Sequence, residues 1–277
     1  MKISVSQMIL LICMLVPFTV SKVHVEAAEA AYSTAWELGE TTSNRHVVDI
    51  HDYGIDRVLF VGRPSAKAVV LMLPGGAGTL GIRRNGTLKH RNNFVVRDIP
   101  LWNRLGYTVV VPDPGKDVNL RGLRSSAEYV AALRRLISFT HQKFGKKVGV
   151  IGTSQGAIAA VGAGASDTNN YLAAVVLAEP VSILGHSGET VFTAELRSVK
   201  APVLVIANAD DRCWVAPPTM APRIKALLTG SRRVEILETS GGRKVSKHDC
   251  GSLTPHGYYG VEASIVLEID RWLKSLQ

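Results

Sequence analysis

The residue types and patterns that this 277-residue sequence lacks exclude several classes of function. It holds only three cysteines, no H-E-x-x-H and no paired C-x-x-C, so we expect no metal site. It has no P-loop, and we expect no nucleotide or other cofactor. Aromatic residues are few, at 6%, and neither an aromatic-basic platform nor a helix-turn-helix pattern accompanies the net charge of +9, so we expect no nucleic-acid partner.

Apolar runs of membrane-spanning length are also absent. Lys2 is followed by an apolar run at residues 8–20 and by small residues near position 28, which predicts a secretory signal peptide over residues 1–30 and a mature domain over residues 31–277. A membrane anchor is the alternative, but this run is shorter than the ~20 residues that span a bilayer, and Pro17 interrupts it. We therefore expect a secreted or periplasmic protein without stable membrane insertion after cleavage.

The few cysteines fit an exported protein. Cys13 lies in the leader, which leaves Cys213 and Cys250 in the mature chain. An even pair of cysteines in an oxidising compartment predicts one disulfide, and two buried free thiols are the alternative.

What the sequence does contain is a series of short, continuously apolar runs. Strands that are apolar on both faces lie in the middle of parallel sheets, with helices on each side. A helix is expected from residue 126 to about 144, where Ser125 and Glu128 predict a capping box, and others after Pro218 and over residues 261–273. We predict a single α/β domain with a mostly parallel central sheet and helices on both faces. The runs are residues 68–73, 107–111, 147–151, 172–177 and 202–207, after a hairpin-like opening at 46–61 with its turn at 52–54.

The most informative motif follows the third of these runs. Residues 147–151 lead directly into Gly152-Thr153-Ser154-Gln155-Gly156, and a helix-compatible segment follows. A strained strand-to-helix turn lifts a serine hydroxyl out of the sheet, and small residues two positions away on either side let the backbone close. Ser154 is therefore the candidate nucleophile. The alternative is a glycine-rich turn that binds a phosphate or nothing.

This elbow and the order of the later segments resemble the α/β-hydrolase family of serine hydrolases, from about residue 46 to the end. The resemblance implies an oxyanion loop after residues 68–73, where Leu73-Pro74-Gly75-Gly76-Ala77-Gly78 stands. Pro74 occupies a position where the family often has histidine. The backbone N–H groups of Gly76 and Gln155 are the expected oxyanion donors. A plain strand-ending turn is the alternative for the two glycines.

The same resemblance implies an acid and a histidine near the end of the chain. The acid is expected in the turn after residues 202–207, with Asp211 favoured over its neighbour Asp210 and with Glu179 as the other position the fold allows. His256, immediately ahead of the closing helix, is favoured over His248 as the base. A bridge between the two cysteines would then join the acid loop to the histidine loop.

These features together predict a carboxylic ester hydrolase that acts through a Ser-His-Asp triad and an acyl-enzyme intermediate. A non-catalytic binding protein, a thioesterase and a peptidase of the same fold are the alternatives. The short connection between about residues 181 and 202 predicts a minimal lid and an open site for a small-molecule ester. Two loops at its mouth carry cations that either bind an anionic group of the substrate or form a solvated surface. They are Arg83, Arg84, Lys89, His90 and Arg91, and Lys116, Arg121 and Arg124.

Overall fold

The computed structural model describes residues 30–34, 37, 40–42, 44–63 and 65–277. The predicted signal peptide lies outside the described residues, except for its last position. Within the described part of the chain, no helix is both long enough and apolar enough to cross a membrane.

One twisted layer of strands organises the described residues. Nine strands form a single sheet in the order β1-β2-β3-β5-β4-β6-β7-β8-β9. The first four in this order pair antiparallel, and the six from β5 to β9 pair parallel. The prediction of a mostly parallel sheet is therefore confirmed. The strands are β1 (Glu40–Thr42), β2 (Arg45–Asp52), β3 (Ile55–Val61), β4 (Ala68–Leu73), β5 (Tyr107–Asp113), β6 (Val148–Thr153), β7 (Leu172–Ala178), β8 (Val203–Asn208) and β9 (Val234–Thr239).

The predicted opening hairpin is formed by β2 and β3. Their turn includes Gly54, whose φ of +65° and close approach to Tyr129 leave no room for a side chain, because a Cβ there would lie 2.6 Å from the tyrosine ring. The hairpin extends the parallel sheet, since β3 pairs antiparallel with β5.

Helices cover both faces of the sheet, as the two-sided burial of its central strands requires. On one face α3, α4 and α5 pack with the sheet in one hydrophobic core, and on the other face α1, α2 and α6 form a second core. The helices are α1 (Phe94–Arg97), α2 (Ile99–Arg104), α3 (Ala127–Phe144), α4 (Gly156–Ala165), α5 (Ala221–Leu227) and α6 (Glu262–Lys274).

The start of α3 differs by one residue from the predicted capping box. Ser126, and not Ser125, is the N-cap, and its hydroxyl accepts a hydrogen bond from the backbone N–H of Tyr129. Ser125 instead donates its hydroxyl to the buried carboxylate of Glu189. The prediction of a capping box at Ser125 and Glu128 is wrong, because a tertiary acceptor engages the first serine.

The parallel strands end at the same edge of the sheet. The loops that follow β4, β6, β7 and β8 begin with Pro74, Ser154, Glu179 and Ala209 respectively. Ligands bind at this edge in open α/β sheets. The fold thus gathers segments that are far apart in sequence, and nearly every candidate residue belongs to one of these loops or to the loop after β9.

Candidate active site

The turn after β6 holds Ser154 in a left-handed backbone conformation. Its φ is 54°, a region that non-glycine residues adopt rarely. The flanking glycines are needed for the same turn, since a Cβ on Gly152 would lie 2.3 Å from the carbonyl oxygen of Gly156, and one on Gly156 would lie 2.0 Å from that of Leu73. The glycine-serine-glycine spacing therefore reflects a turn with no room for larger residues, and α4 begins at its end.

Backbone hydrogen bonds keep this strained turn in place. The N–H of Ser154 donates to the carbonyl of Ala178 in β7 at 2.8 Å, and the N–H of Ala157 donates to the carbonyl of Ser154 at 3.1 Å. A non-glycine residue in this conformation persists only where its surroundings fix it. The serine is thus presented by a rigid strand-to-helix junction.

His256 and Asp211 form a buried pair. Nδ1 of His256 lies 2.7 Å from Oδ2 of Asp211, and the two side chains are 4% and 0% exposed. The other oxygen of the acid, Oδ1, accepts a hydrogen bond of 2.7 Å from the backbone N–H of Cys213. Because a carboxylate only accepts, Nδ1 carries a proton and Nε2 is the nitrogen free to accept one.

The other ring nitrogen of His256 has no partner, and the histidine shares a cavity with the serine. Nε2 is buried and has no hydrogen-bond partner. His256 and Ser154 both line one cavity of about 450 Å³. The structure therefore brings the predicted nucleophile, histidine and acid together, although they are separated by up to about a hundred residues in the sequence.

The two less favoured candidates lie elsewhere. Asp210 is exposed, and its carboxylate accepts a hydrogen bond of 2.6 Å from the backbone N–H of Gly241, which braces the loop after β9. His248 is exposed in that same loop. Among the hydrogen bonds and ion pairs of the described residues, none joins either side chain to His256, whose partner is Asp211.

Glu179 lies behind the pair as a second buried acid. A carboxylate oxygen of Glu179, one of Asp211 and a ring nitrogen of His256 all lie within 4.8 Å of one another. Oε1 of Glu179 accepts a hydrogen bond of 2.8 Å from the backbone N–H of Asn208. Burial, and then the charge of Asp211, raise the pKa of Glu179 well above its usual value, which favours a neutral carboxylic acid. The histidine thus faces one carboxylate and one acid that tends to stay protonated.

The loop after β4 approaches the serine closely. A Cβ on Gly75 would lie 2.9 Å from Cβ of Ser154, and Gly76 has a φ of +60°. Among the loop and turn hydrogen bonds of the described residues, none is donated by the backbone N–H of Gly76 or of Gln155. An oxyanion hole requires two such N–H groups, and one of these follows the serine in sequence while the other is in the loop that approaches it.

The predicted disulfide is present. Cys213 and Cys250 are joined, with a Cα–Cα distance of 4.5 Å and a sequence separation of 37. Cys213 is two residues past Asp211, and Cys250 lines the cavity together with His256. The crosslink therefore connects the acid loop to the histidine loop.

Arg124 does not lie where the sequence placed it. It was grouped with the cations at the mouth, but its side chain is buried, at 1% exposure, beneath the loop after β4. It donates hydrogen bonds to the carbonyl oxygens of Gly76 and Pro74 and to the side chain of Gln155. The sequence does not predict this buried position, because nothing in the local pattern distinguishes a buried arginine from its exposed neighbours.

A buried acid that the sequence analysis missed fixes one of the mouth loops. Asp113 ends β5, and its two carboxylate oxygens accept hydrogen bonds from the backbone N–H groups of Leu80 at 3.0 Å and Ile82 at 2.8 Å. Its position at the carboxyl end of an apolar strand could have indicated a role at this edge.

The cavity is cationic at its mouth. Lys89, His90, Arg91 and Arg121 contribute to its lining, and no aspartate or glutamate does so among the described residues. The guanidinium of Arg121 has no ion-pair partner in the described part of the chain, and one of its nitrogens lies 3.5 Å from the position that a Cβ on Gly76 would occupy. These cations are therefore available to an anionic ligand.

Two groups of residues have features of a cofactor or metal site, one in the loop after β4 and one around His256. Gly76-x-Gly78-x-x-Gly81 has the spacing of a dinucleotide motif after a strand, which the sequence analysis overlooked, but no helix opens there and α1 begins only at Phe94. Among the described residues, the side chains near enough to share a metal ion are Glu179, Asp211 and His256. The hydrogen bond between the last two accounts for their arrangement, and we assign no metal to it.

Comparison with known proteins identifies the fold. No protein-family profile and no curated protein matches the sequence. Among solved structures, a dienelactone hydrolase from Anabaena variabilis is 17% identical, with 86% of this chain and 95% of that chain covered and a TM-score of 0.56. An α/β-hydrolase enzyme from a Medee basin deep-sea metagenome library is 17% identical over 79% of this chain and 92% of that chain, with a TM-score of 0.57.

A structure described as an arylesterase is similar to the same extent. It is 13% identical, covers 92% of this chain and 91% of that chain, and has a TM-score of 0.57. At such low identity the likeness establishes the fold alone. The chain has the α/β-hydrolase fold, as the sequence predicted.

Proposed function

We propose that this chain is a secreted serine hydrolase that cleaves carboxylic esters through Ser154, His256 and Asp211. One observation carries the proposal: His256 is held by Asp211 through Nδ1, while its buried Nε2 has no partner and shares a cavity with a serine on a strained elbow. The structural likeness to esterases and other hydrolases supports it.

The first half-reaction would form an acyl-enzyme. Nε2 of His256 takes the proton of the Ser154 hydroxyl as Oγ attacks the ester carbonyl carbon. Asp211 keeps Nδ1 protonated and stabilises the imidazolium. The backbone N–H groups of Gly76 and Gln155 bind the oxyanion of the tetrahedral intermediate. His256 then returns its proton to the departing alcohol, and the acyl group remains on Oγ.

The second half-reaction would use the same groups in the reverse order. A water molecule takes the position of the alcohol, and His256 removes its proton as it attacks the acyl carbon. Collapse of the second tetrahedral intermediate releases the carboxylic acid and restores the serine hydroxyl. No group outside the triad and the oxyanion donors is required.

The shape of the site favours small substrates. Between β7 and β8 the chain forms only one short 3₁₀ helix, Leu196–Ser198, so no lid is inserted at the position where one would cover the serine. The cationic mouth favours an ester that carries a carboxylate or phosphate, with Arg121 nearest the oxyanion loop.

Export is the part of the proposal that depends on the N-terminal sequence. The disulfide supports an oxidising compartment, since such bonds persist mainly outside the cytosol. We expect the exported protein to begin near residue 31, and N-terminal sequencing of protein recovered outside the cytosol tests this directly.

Covalent labelling tests the proposed chemistry. A fluorophosphonate should modify Ser154, and peptide mass spectrometry would locate the adduct. Turnover should be measured on 4-nitrophenyl esters of graded length, with a thioester and a peptide substrate as the competing activities. Ser154→Ala should lose both labelling and turnover, by several powers of ten in rate, with an unchanged circular dichroism spectrum. Full turnover in this variant would refute the proposed mechanism.

A further inference from the structure

One side chain touches both halves of the proposed oxyanion hole. The guanidinium of Arg124 donates from Nη2 to the carbonyl oxygens of Gly76 at 2.8 Å and Pro74 at 3.2 Å, and from Nη1 to Oε1 of Gln155 at 3.3 Å. Gly76 and Gln155 are the residues whose backbone N–H groups are the proposed donors. No other side chain in the described part of the chain donates hydrogen bonds to both.

The hydrogen bonds from Arg124 to the two carbonyls restrain the peptide group between Gly75 and Gly76. The Gly76 N–H belongs to the peptide between Gly75 and Gly76. The carbonyls of Pro74 and Gly76 belong to the peptides immediately before and after it. Arg124 therefore holds the peptide groups on both sides of the proposed donor, which has glycine on each side and is intrinsically free to rotate. A planar fork of N–H groups suits this task, whereas a lysine ammonium could not span all three acceptors.

The charge of Arg124 has no direct counterion. Its acceptors are neutral, and among the described residues no carboxylate forms an ion pair with it. Glu189 lies nearby, but its oxygens accept hydrogen bonds from the backbone of Gly122 and Ser125 and from the Ser125 hydroxyl. Burial lowers the pKa of Arg124 to about 10, so it stays charged at neutral pH.

Keeping an unpaired cation buried is unfavourable for folding, since the cation loses its hydration and gains no opposite charge in return. The cation lies directly beneath the loop that would bind a developing negative charge. A fixed positive charge at that position stabilises the transition state without reorganisation during the reaction. The buried charge of Arg124 thus destabilises the resting protein but would stabilise the transition state when the oxyanion forms.

We propose that Arg124 is a positioning residue of the oxyanion hole, which holds the Gly76 loop and Gln155 in register and supplies a buried positive charge behind them. This inference rests on the proposed ester hydrolysis. It assigns to Arg124 an effect on the transition state and not on the binding of the ground-state ester.

Kinetics of two variants test this assignment. With a neutral short-chain 4-nitrophenyl ester, Arg124→Met should lower kcat by roughly 10- to 100-fold, less than the loss of a donor itself, with KM changed by less than about threefold. Arg124→Lys should restore part of kcat, because it keeps the charge but not the fork. A boronic acid forms a tetrahedral adduct with the serine and so resembles the transition state. Across the Arg124 variants its affinity should fall in proportion to kcat, whereas KM should stay nearly constant.

A second arginine serves as the matched control. Arg135 in α3 is partly buried and forms an ion pair of 2.6 Å with Asp52, away from the cavity. Arg135→Met should lower the melting temperature and leave kcat unchanged. An equal loss of kcat in both methionine variants would overturn the proposal, because the effect would then be general destabilisation.

Two further outcomes would also overturn it. One is a folded Arg124→Met protein with kcat within about twofold of wild type. The other is full kcat in Arg124→Lys, and this measurement is the deciding one if the methionine variant does not fold. If instead the wild-type protein neither hydrolyses esters nor reacts with a fluorophosphonate, the proposed function fails and the inference fails with it. Activity that is insensitive to Arg124 refutes the inference alone.

Discussion

The cavity lined by Ser154 and His256 has two unlike sides, which we call the acid wall and the cation wall. The acid wall consists of Asp211, His256 and Glu179, all buried, with the Cys213–Cys250 bridge joining its loops. The cation wall consists of Lys89, His90, Arg91 and Arg121, all exposed. Of the acid wall only His256 lines the cavity, with the carboxylates of Asp211 and Glu179 close to it, whereas all four residues of the cation wall contribute to the lining.

The difference is what the proposed function requires, in which the acid wall transfers protons and the cation wall selects the substrate. Groups that move protons need fixed distances, and burial with a crosslink limits their motion. Groups that select a substrate can be exposed, because long-range attraction tolerates mobile side chains. Changes in the acid wall should therefore reduce kcat for every ester, whereas changes in the cation wall should alter only the ranking of substrates.

The largest effect is expected at the histidine. His256→Ala should reduce ester turnover by roughly 10⁴- to 10⁶-fold, because the proposed base is lost. His248→Ala is the matched control on the same loop, and it should change turnover by less than about threefold, as for a surface substitution away from the site. Steady-state kinetics on one neutral ester measures both. A severe loss in His248→Ala alone would move the base to the exposed part of the loop.

The next effect concerns adjacent acids. Asp211→Asn should lower kcat by up to about 10⁴-fold, because an amide permits the wrong imidazole tautomer. Asp210→Asn keeps an acceptor for the N–H of Gly241 and should be milder by at least a factor of about 100 on the same grounds. Residual activity of Asp211→Asn should be compared with that of the double variant that also carries Glu179→Gln. If the double variant lacks the residual activity of Asp211→Asn, Glu179 acts as a substitute acid in the single variant.

The sequence predicted the acid wall better than the cation wall. The glycine spacing of the elbow predicted Ser154 from local backbone geometry, and the resemblance to the α/β-hydrolase family implied Asp211 and His256 in loops that follow parallel strands. Arg124 was misplaced among the mouth cations. Whether one arginine of a loop turns inward depends on acceptors more than thirty residues away, which no local pattern records.

The capping of α3 failed for a related reason. Ser125 and Ser126 have the same capping propensity, and the choice between them depends on Glu189, which is 64 residues away in sequence. Propensity rules treat a helix end in isolation. The boundaries of the strands were less affected, since runs of buried residues mark them directly.

Substrate preference is the test of the cation wall. For a pair of 4-nitrophenyl esters of equal length, one ending in a carboxylate and one in a methyl group, kcat/KM should favour the anion. Arg121→Gln should lower that preference by up to about tenfold and leave the neutral ester unaffected, since one charge-assisted hydrogen bond is lost. Added salt should weaken the preference as well. If the ratio of the two kcat/KM values responds neither to Arg121→Gln nor to salt, the cation wall is a solvated surface that does not bind the substrate.

The second acid should make stability depend on pH. The pKa of Glu179 is raised in the folded protein, so the folded state binds more protons than the unfolded state above about pH 4.3. The contribution of Glu179 to the free energy of unfolding is therefore present at low pH and is lost as the pH rises toward its pKa in the folded protein. The loss is about 1.4 kcal/mol for each unit by which the two pKa values differ. Glu179→Gln should flatten the fall of melting temperature with pH. An unchanged slope would indicate that Glu179 titrates normally.

The smallest expected effect on turnover is that of reducing the Cys213–Cys250 bridge while the fold stays intact. The bridge joins two cysteines with a sequence separation of 37 and stabilises the protein by about 4 kcal/mol in the loop-closure description. Because Cys213 donates its N–H to Asp211 and Cys250 lines the cavity, reduction should loosen the acid wall before it affects the sheet. Mild reductant should lower turnover severalfold at temperatures where far-ultraviolet circular dichroism is constant. The ratio of anionic to neutral turnover should stay the same, since no residue of the cation wall lies between the two cysteines. A changed ratio would show that the two walls are mechanically coupled, and unchanged turnover would confine the bridge to a role in stability.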